Sequence, residues 1–234
     1  MRRRTVVFLS IAAAVVVLGA VAAVVGPKLY RNAADRSGVA APTVTLSPTG
    51  VADAGTRVAA SDVDGSWQVT DGSYAGYRVK EVLNGTDVTV VGRTEKVTGS
   101  LTVSGLRLTS ARIQVDVASI ATDEPARDSY FRDTAMRVNR YPTAVFELAS
   151  PVQASGTPKV GEAQSYDATG NLTLAGVTKQ VTVQLQAAFD GADAQVAGSI
   201  PITFADYGVQ APSLGFVTVQ PKGSVEFSLR LAKA

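Results

Sequence analysis

From Trp67 onward the sequence predicts an all-β fold, an antiparallel sandwich or barrel, on three observations. Apolar residues recur at every second position in successive short runs, which places them on one face of a pleated strand. Glycines and turn-forming pairs separate the runs, and a single stretch, Asp123 to Arg140, breaks the pattern with helical character. Closing the sheet removes exposed edges, which favours a barrel, but alternation is common to both architectures.

The elements follow in chain order. Thr5 to Val25 is uncharged, and as a helix rising ~1.5 Å per residue it is long enough to cross the ~30 Å hydrocarbon layer. Arg2, Arg3 and Arg4 precede it and favour a cytoplasmic N-terminus, against Lys28, Arg31 and Arg36 on the far side. Residues 1–31 are therefore expected to be a single-pass signal anchor in the cell membrane, with the rest of the chain extracytoplasmic. Ala20-Val21-Ala22 also fits a cleavage site, which leaves secretion after signal removal as the alternative. Gly26-Pro27 stops the helical pattern, and residues 32–64, rich in Ala, Thr, Ser, Pro and Gly, read as a flexible linker. The β domain is expected over residues 65–232.

Within it, Val97, Leu101 and Val103 share one side of a run, and Ile113, Val115 and Val117 share one side of the next. Val181, Val183 and Leu185 repeat the pattern, as do Val225, Phe227, Leu229 and Leu231. Breakers stand at Asn84-Gly85, Gly92, Ser104-Gly105, Ala175-Gly176, Gly191 and Gly223. Asn84-Gly85 suits a type I′ hairpin, whose two central residues both need positive φ. In the helical stretch, Thr122 or Asp123 is placed to cap a helix with Glu124 and Pro125 in its first turn. Tyr130, Phe131 and Met136 anchor it as a short lid.

The segment SIATDEPARDSYFRDTAMRVNRYPTAVFE (Ser119 to Glu147) resembles the YceI-like family in its Arg-Asp pair, apolar helix, Tyr-Pro and aromatic strand. NLTLAGVTKQVTV (Asn171 to Val183) and Asp206-Tyr207-Gly208 extend the likeness over roughly Gly65 to Leu231. The resemblance implies a lipocalin-like antiparallel β-barrel of about eight strands that holds a polyisoprenoid or similar lipid. Many relatives carry histidines after the Arg-Asp pair and before the later glycine; Ser129-Tyr130 and Ala175 stand there in this chain. No role that needs an imidazole carries over.

Composition narrows the chemistry further. The chain has no cysteine and no histidine, which excludes disulfides, thiol nucleophiles and Ser-His or Cys-His catalysis, and removes the commonest metal ligand. No enzyme activity, cofactor or metal is expected. Six of the 22 Lys and Arg, against one of the 20 Asp and Glu, lie in residues 1–36, so residues 37–234 carry 16 − 19 = −3. Without a cationic cluster beyond the anchor, nucleic acid is not an expected partner. Asp123 and Glu124 are adjacent carboxylates, read as solvated charges in a polar loop.

The candidate site is the barrel interior. Alternation and the family likeness place Tyr77, Leu101, Ile113, Val115 and Phe146 on its first half, and Leu172, Leu174, Val183, Leu185, Phe204 and Phe227 on its second. Phe131 and Met136 would reach it from the lid. In a hollow barrel these residues line a lipid site; in a filled barrel they are closed core. Burying ten carbons of an isoprenoid tail is worth about 8 kcal/mol before ordering costs, so no charged contact is required. Arg127 is the candidate contact for a polar head, although an Arg-Asp pair at a helix start also serves simply to pin a loop.

Two readings of function result. In the first, a membrane-anchored extracytoplasmic protein holds a polyprenyl carrier or quinone for sequestration or transfer, with the bilayer and the lipid as its partners. In the second, a filled barrel acts as a cell-envelope protein–protein interaction module without a ligand. Homodimer formation is compatible with either.

Overall fold

The computed structural model describes residues 39–46, 54–83, 85–154, 156–213, 215 and 217–234. The expected anchor, residues 1–31, lies outside them, as does much of the expected linker. No helix among the described residues is long and apolar enough to cross a membrane.

Ten strands form one antiparallel sheet: β1 (Gly65–Leu83), β2 (Thr86–Thr94), β3 (Val97–Ser104), β4 (Arg107–Asp116), β5 (Thr143–Leu148), β6 (Val152–Gln153), β7 (Gln164–Leu174), β8 (Val177–Phe189), β9 (Ala194–Thr203) and β10 (Val217–Lys233). β2 and β3 lie end to end along β1, and β5 and β6 both lie along β4. β10 pairs with β1 from Trp67↔Lys233 to Leu83↔Val217, and this closes an eight-stranded barrel. The all-β fold is as the alternation predicts, and the lipocalin-like barrel is as the family resemblance implies.

Two expected breakers are placed differently. Gly92 lies inside β2, where a Cβ would stand 2.5 Å from the Tyr77 ring, so its small size admits that side chain. Gly223 lies inside β10 next to a register shift opposite Val79 and Glu81, a bulge rather than a turn. Asn84 is outside the described residues, and Gly85 has the positive φ of +78° that a tight hairpin requires. Ala175 and Gly176 do form a hairpin turn with φ of +48° and +82°.

The helical stretch is shorter than Asp123 to Arg140. Helix α1 (Ala60–Val63) precedes the barrel, and the lid is α2 (Pro125–Tyr130) followed by one π-turn, Phe131–Ala135. Glu124, rather than Thr122 or Asp123, caps α2 by accepting from the Ala126 N–H. Thr122 is engaged elsewhere: its N–H and hydroxyl both donate to Asp128 Oδ1, at 2.9 and 2.7 Å.

The C-terminal part of the expected linker is built into the domain. Gly55 and Val58 donate to the Val160 and Pro158 carbonyls, both at 2.9 Å, and the Trp67 indole donates to the Val63 carbonyl. Val58, Val160, Trp67 and Phe189 are buried together and cover the end of the barrel where β1 begins. The opposite end carries the lid, the β1–β2 turn and the segment between β9 and β10.

Candidate functional site

The interior is hollow. Leu101, Ile113, Val115, Phe146, Leu185 and Phe227 face inward by register, yet each is only half-buried, because they line open space rather than one another. A cavity of about 550 Å³ occupies the lid-bearing half, and one of about 270 Å³ the covered half. Val115, Ala144 and Val225 line both, so the two adjoin as compartments of one interior.

Each sequence-predicted site residue falls on one of them. Tyr77, Phe131, Met136, Leu174 and Phe204 line the larger compartment with Arg127. Leu101, Ile113, Phe146, Leu172, Val183, Leu185 and Phe227 line the smaller, and Val115 lines both. The Phe131 ring stacks on Tyr77 with centroids 4.8 Å apart, which docks the lid against β1. The π-turn produces this placement: Met136 N–H donates to the Phe131 carbonyl at 2.9 Å, which turns Met136 inward, where it is buried.

Polar groups gather at the lid end. Arg127 donates to Asp123 Oδ1 at 2.9 Å and lies 3.5 Å from the Glu81 carboxylate. Burial raises the pKa of Glu81 and the nearby charge of Asp123 raises it further, so desolvation outweighs the attraction of Arg127. Burial lowers that of Arg127, with Asp128 opposing. The Tyr77 phenol is pushed far up by burial, then by Asp128, Glu81 and Asp123, and stays neutral. Arg127 thus both pins the loop and reaches the cavity.

Two features of this end escaped the sequence reading. Glu81 stands at an inward position of β1, a site that the alternation of Tyr77, Val79 and Leu83 marks. Tyr207, part of the Asp206-Tyr207-Gly208 likeness, lines the larger compartment with a buried hydroxyl that has no hydrogen-bond partner among the described residues. A buried hydroxyl without a partner is costly. Gly208 ends the short helix Phe204–Tyr207 in the left-handed region, φ +65°, and so bends the chain there.

The family model of the YceI-like domain matches residues 56–231. A UPF0312 protein of Pseudomonas aeruginosa is 32% identical over 128 residues, covering 51% of this chain and 63% of that protein. A UPF0312 protein of Azotobacter vinelandii is 28% identical over 121 residues, 48% of this chain and 59% of that one. The matches thus span less than two thirds of these relatives. Among solved structures, a polyisoprenoid binding domain from Saccharophagus degradans, implicated in plant cell wall breakdown, superposes with a TM-score of 0.57 at 20% identity, covering 72% of this chain and 98% of that one. Burkholderia cenocepacia BcnA superposes with a TM-score of 0.53 at 23% identity, covering 67% and 96%. These two likenesses establish the fold.

Proposed function

We propose, from the premise that this chain belongs to the YceI-like domain family, that its barrel holds a long-chain isoprenoid lipid, a polyprenyl carrier or quinone, for sequestration or transfer. The observation that carries this reading is the pair of adjoining apolar compartments, whose volumes fall in the range of small-molecule sites and whose shape suits a chain better than a compact ligand. The polar groups at the lid end suit one oxygen-bearing head, with Arg127 and Tyr207 as donors. The polyisoprenoid binding domain of similar fold supports the same ligand class. A filled interaction module is disfavoured by the open interior.

The uncharged stretch from Thr5 to Val25 supports a membrane-anchored, extracytoplasmic placement, so that lipid is taken from the adjacent bilayer. The role is binding without covalent chemistry. Native mass spectrometry of the purified full chain, before and after incubation with polyprenols, tests it. A mass adduct of one isoprenoid per chain, with a raised melting temperature, is expected. A chain that never carries lipid and does not respond to added polyprenol refutes the carrier role.

A further inference from the structure

Residues 39–46 lie against the outer wall of the barrel, on a receptor built from buried charge. Glu226, Gly76 and Arg93 share one row across β10, β1 and β2. Gly76 keeps this row clear, since a Cβ there would stand 1.9 Å from the Gly92 carbonyl oxygen. Arg93 reaches over it to within 3.7 Å of Glu226, which Arg78 pairs at 2.5 Å. Glu226 is 3% exposed. One buried carboxylate between two guanidiniums leaves donors over, and the tether takes them: Arg78 donates to the Val39 carbonyl at 2.7 Å and Arg93 to the Ala40 carbonyl at 3.1 Å. Further on, the Thr45 N–H donates to Gln195 Oε1 at 2.8 Å, and the Gln195 amide donates to Ser228. Gln195 and Ser228 point outward by register and are nevertheless buried.

The order of these contacts gives the chain a direction. Val39 and Ala40 sit at the level of Glu226, whereas Thr45 sits at Gln195, which pairs with Arg230, four positions nearer the covered end. From Val39 to Thr45 the chain therefore runs down the wall away from the lid-bearing end, and residues 54–63 cover the far end before β1 starts.

We propose that this latch turns the open, lid-bearing end of the barrel toward the bilayer that holds residues 5–25. The inference rests on reading those residues as a membrane span, and it deepens the lipid-carrier reading of the cavity. Val25 and Val39 are fourteen positions apart, a reach of at most about 50 Å. From Arg78 the open rim at Leu83 is five positions away, about 17 Å along the strand, whereas the covered end at Gly65 is thirteen positions away, about 43 Å. With barrel strands tilted by about 40°, these lengths are about 33 and 13 Å of height, so turning the covered end to the bilayer would use about two thirds of the reach and turning the open end about a quarter. Independently, Gly208 to Ser213 at the open rim contains no charged residue, and Val209, Ala211 and Pro212 there line the larger compartment and are half-buried. An uncharged, partly apolar segment of the rim is chemistry that meets a lipid surface, beside the charged lid.

The chain has no cysteine, so single labels are specific. The full chain is reconstituted into phosphatidylglycerol and phosphatidylethanolamine vesicles with a donor fluorophore at Ala211→Cys or Ser61→Cys and acceptors on lipid head groups. Stronger quenching at Ala211 is expected. In Arg78→Gln/Arg93→Gln/Glu226→Gln, which leaves no carboxylate unpaired, or in Thr45→Pro, which spares the barrel, the difference is lost. Equal or stronger quenching at Ser61, a difference that survives both latch variants, or a chain that does not float with the vesicles overturns the proposal. Polyprenol retention on the same vesicles separates the two readings: a barrel oriented as stated but empty leaves the orientation standing and removes the carrier role.

Discussion

The Glu81 carboxyl faces an apolar compartment with Arg127 at 3.5 Å, and its raised pKa makes it a source of pH dependence. A raised carboxyl pKa means that the native state holds the proton more tightly than the unfolded chain. The stabilisation is complete below the usual carboxylate range, about pH 4, and is lost as pH rises through the raised value. Glu81→Gln lacks this slope. Melting temperatures across mildly acid to neutral pH should show wild type losing ground to the variant as pH rises. Wild type gaining ground instead would mean that the Arg127 pair dominates. The inward position of Glu81 is readable from alternation with Tyr77 and Leu83, but its environment is not, because Arg127 and Asp123 arrive from a segment far along the chain. Tyr207 is the same case: the sequence marks it within the family likeness, whereas its hydroxyl without a partner among the described residues is a fact of packing.

At the scale of the element, side chains hold the lid to the wall, among them Arg127, which lies 3.5 Å from the Glu81 carboxylate. The Tyr77–Phe131 stack joins it to the wall, and Tyr130 reaches the Gln210 carbonyl only at 3.4 Å. An aromatic pair is worth about 0.5–1.5 kcal/mol beyond its buried area, so Phe131→Ala should speed polyprenol release about 2- to 10-fold. Transfer of polyprenol to acceptor vesicles measures this, and an unchanged rate would show that the lid does not gate the cavity. Pro125 and the apolar anchors make this helix visible in the sequence. The π-turn that ends it is not visible, since it depends on how Phe131 and Met136 meet the interior. The strands are more legible, because a register slip would turn every oily face outward. Gly92 misleads for a physical reason: its missing side chain admits the Tyr77 ring instead of making a turn.

For the whole molecule, periodicity leaves sandwich and barrel equal, and the pairing of β10 with β1 decides between them. Hollowness is further still from sequence, since it depends on whether the inward side chains meet across the barrel. Here they do not, and half-buried Val115, Phe146 and Phe227 around an open space are the result. The tether, which reads as flexible, is latched over residues 39–46 by guanidiniums distant in sequence. The most direct measurement is a crystal structure of the protein grown with a long polyprenol. One extended chain should pass Val115, Ala144 and Val225 from the larger compartment into the smaller, with its oxygen beside Arg127 or Tyr207. An interior that stays empty, or whose walls have closed on each other while the polyprenol lies outside, would contradict the lipid-binding account.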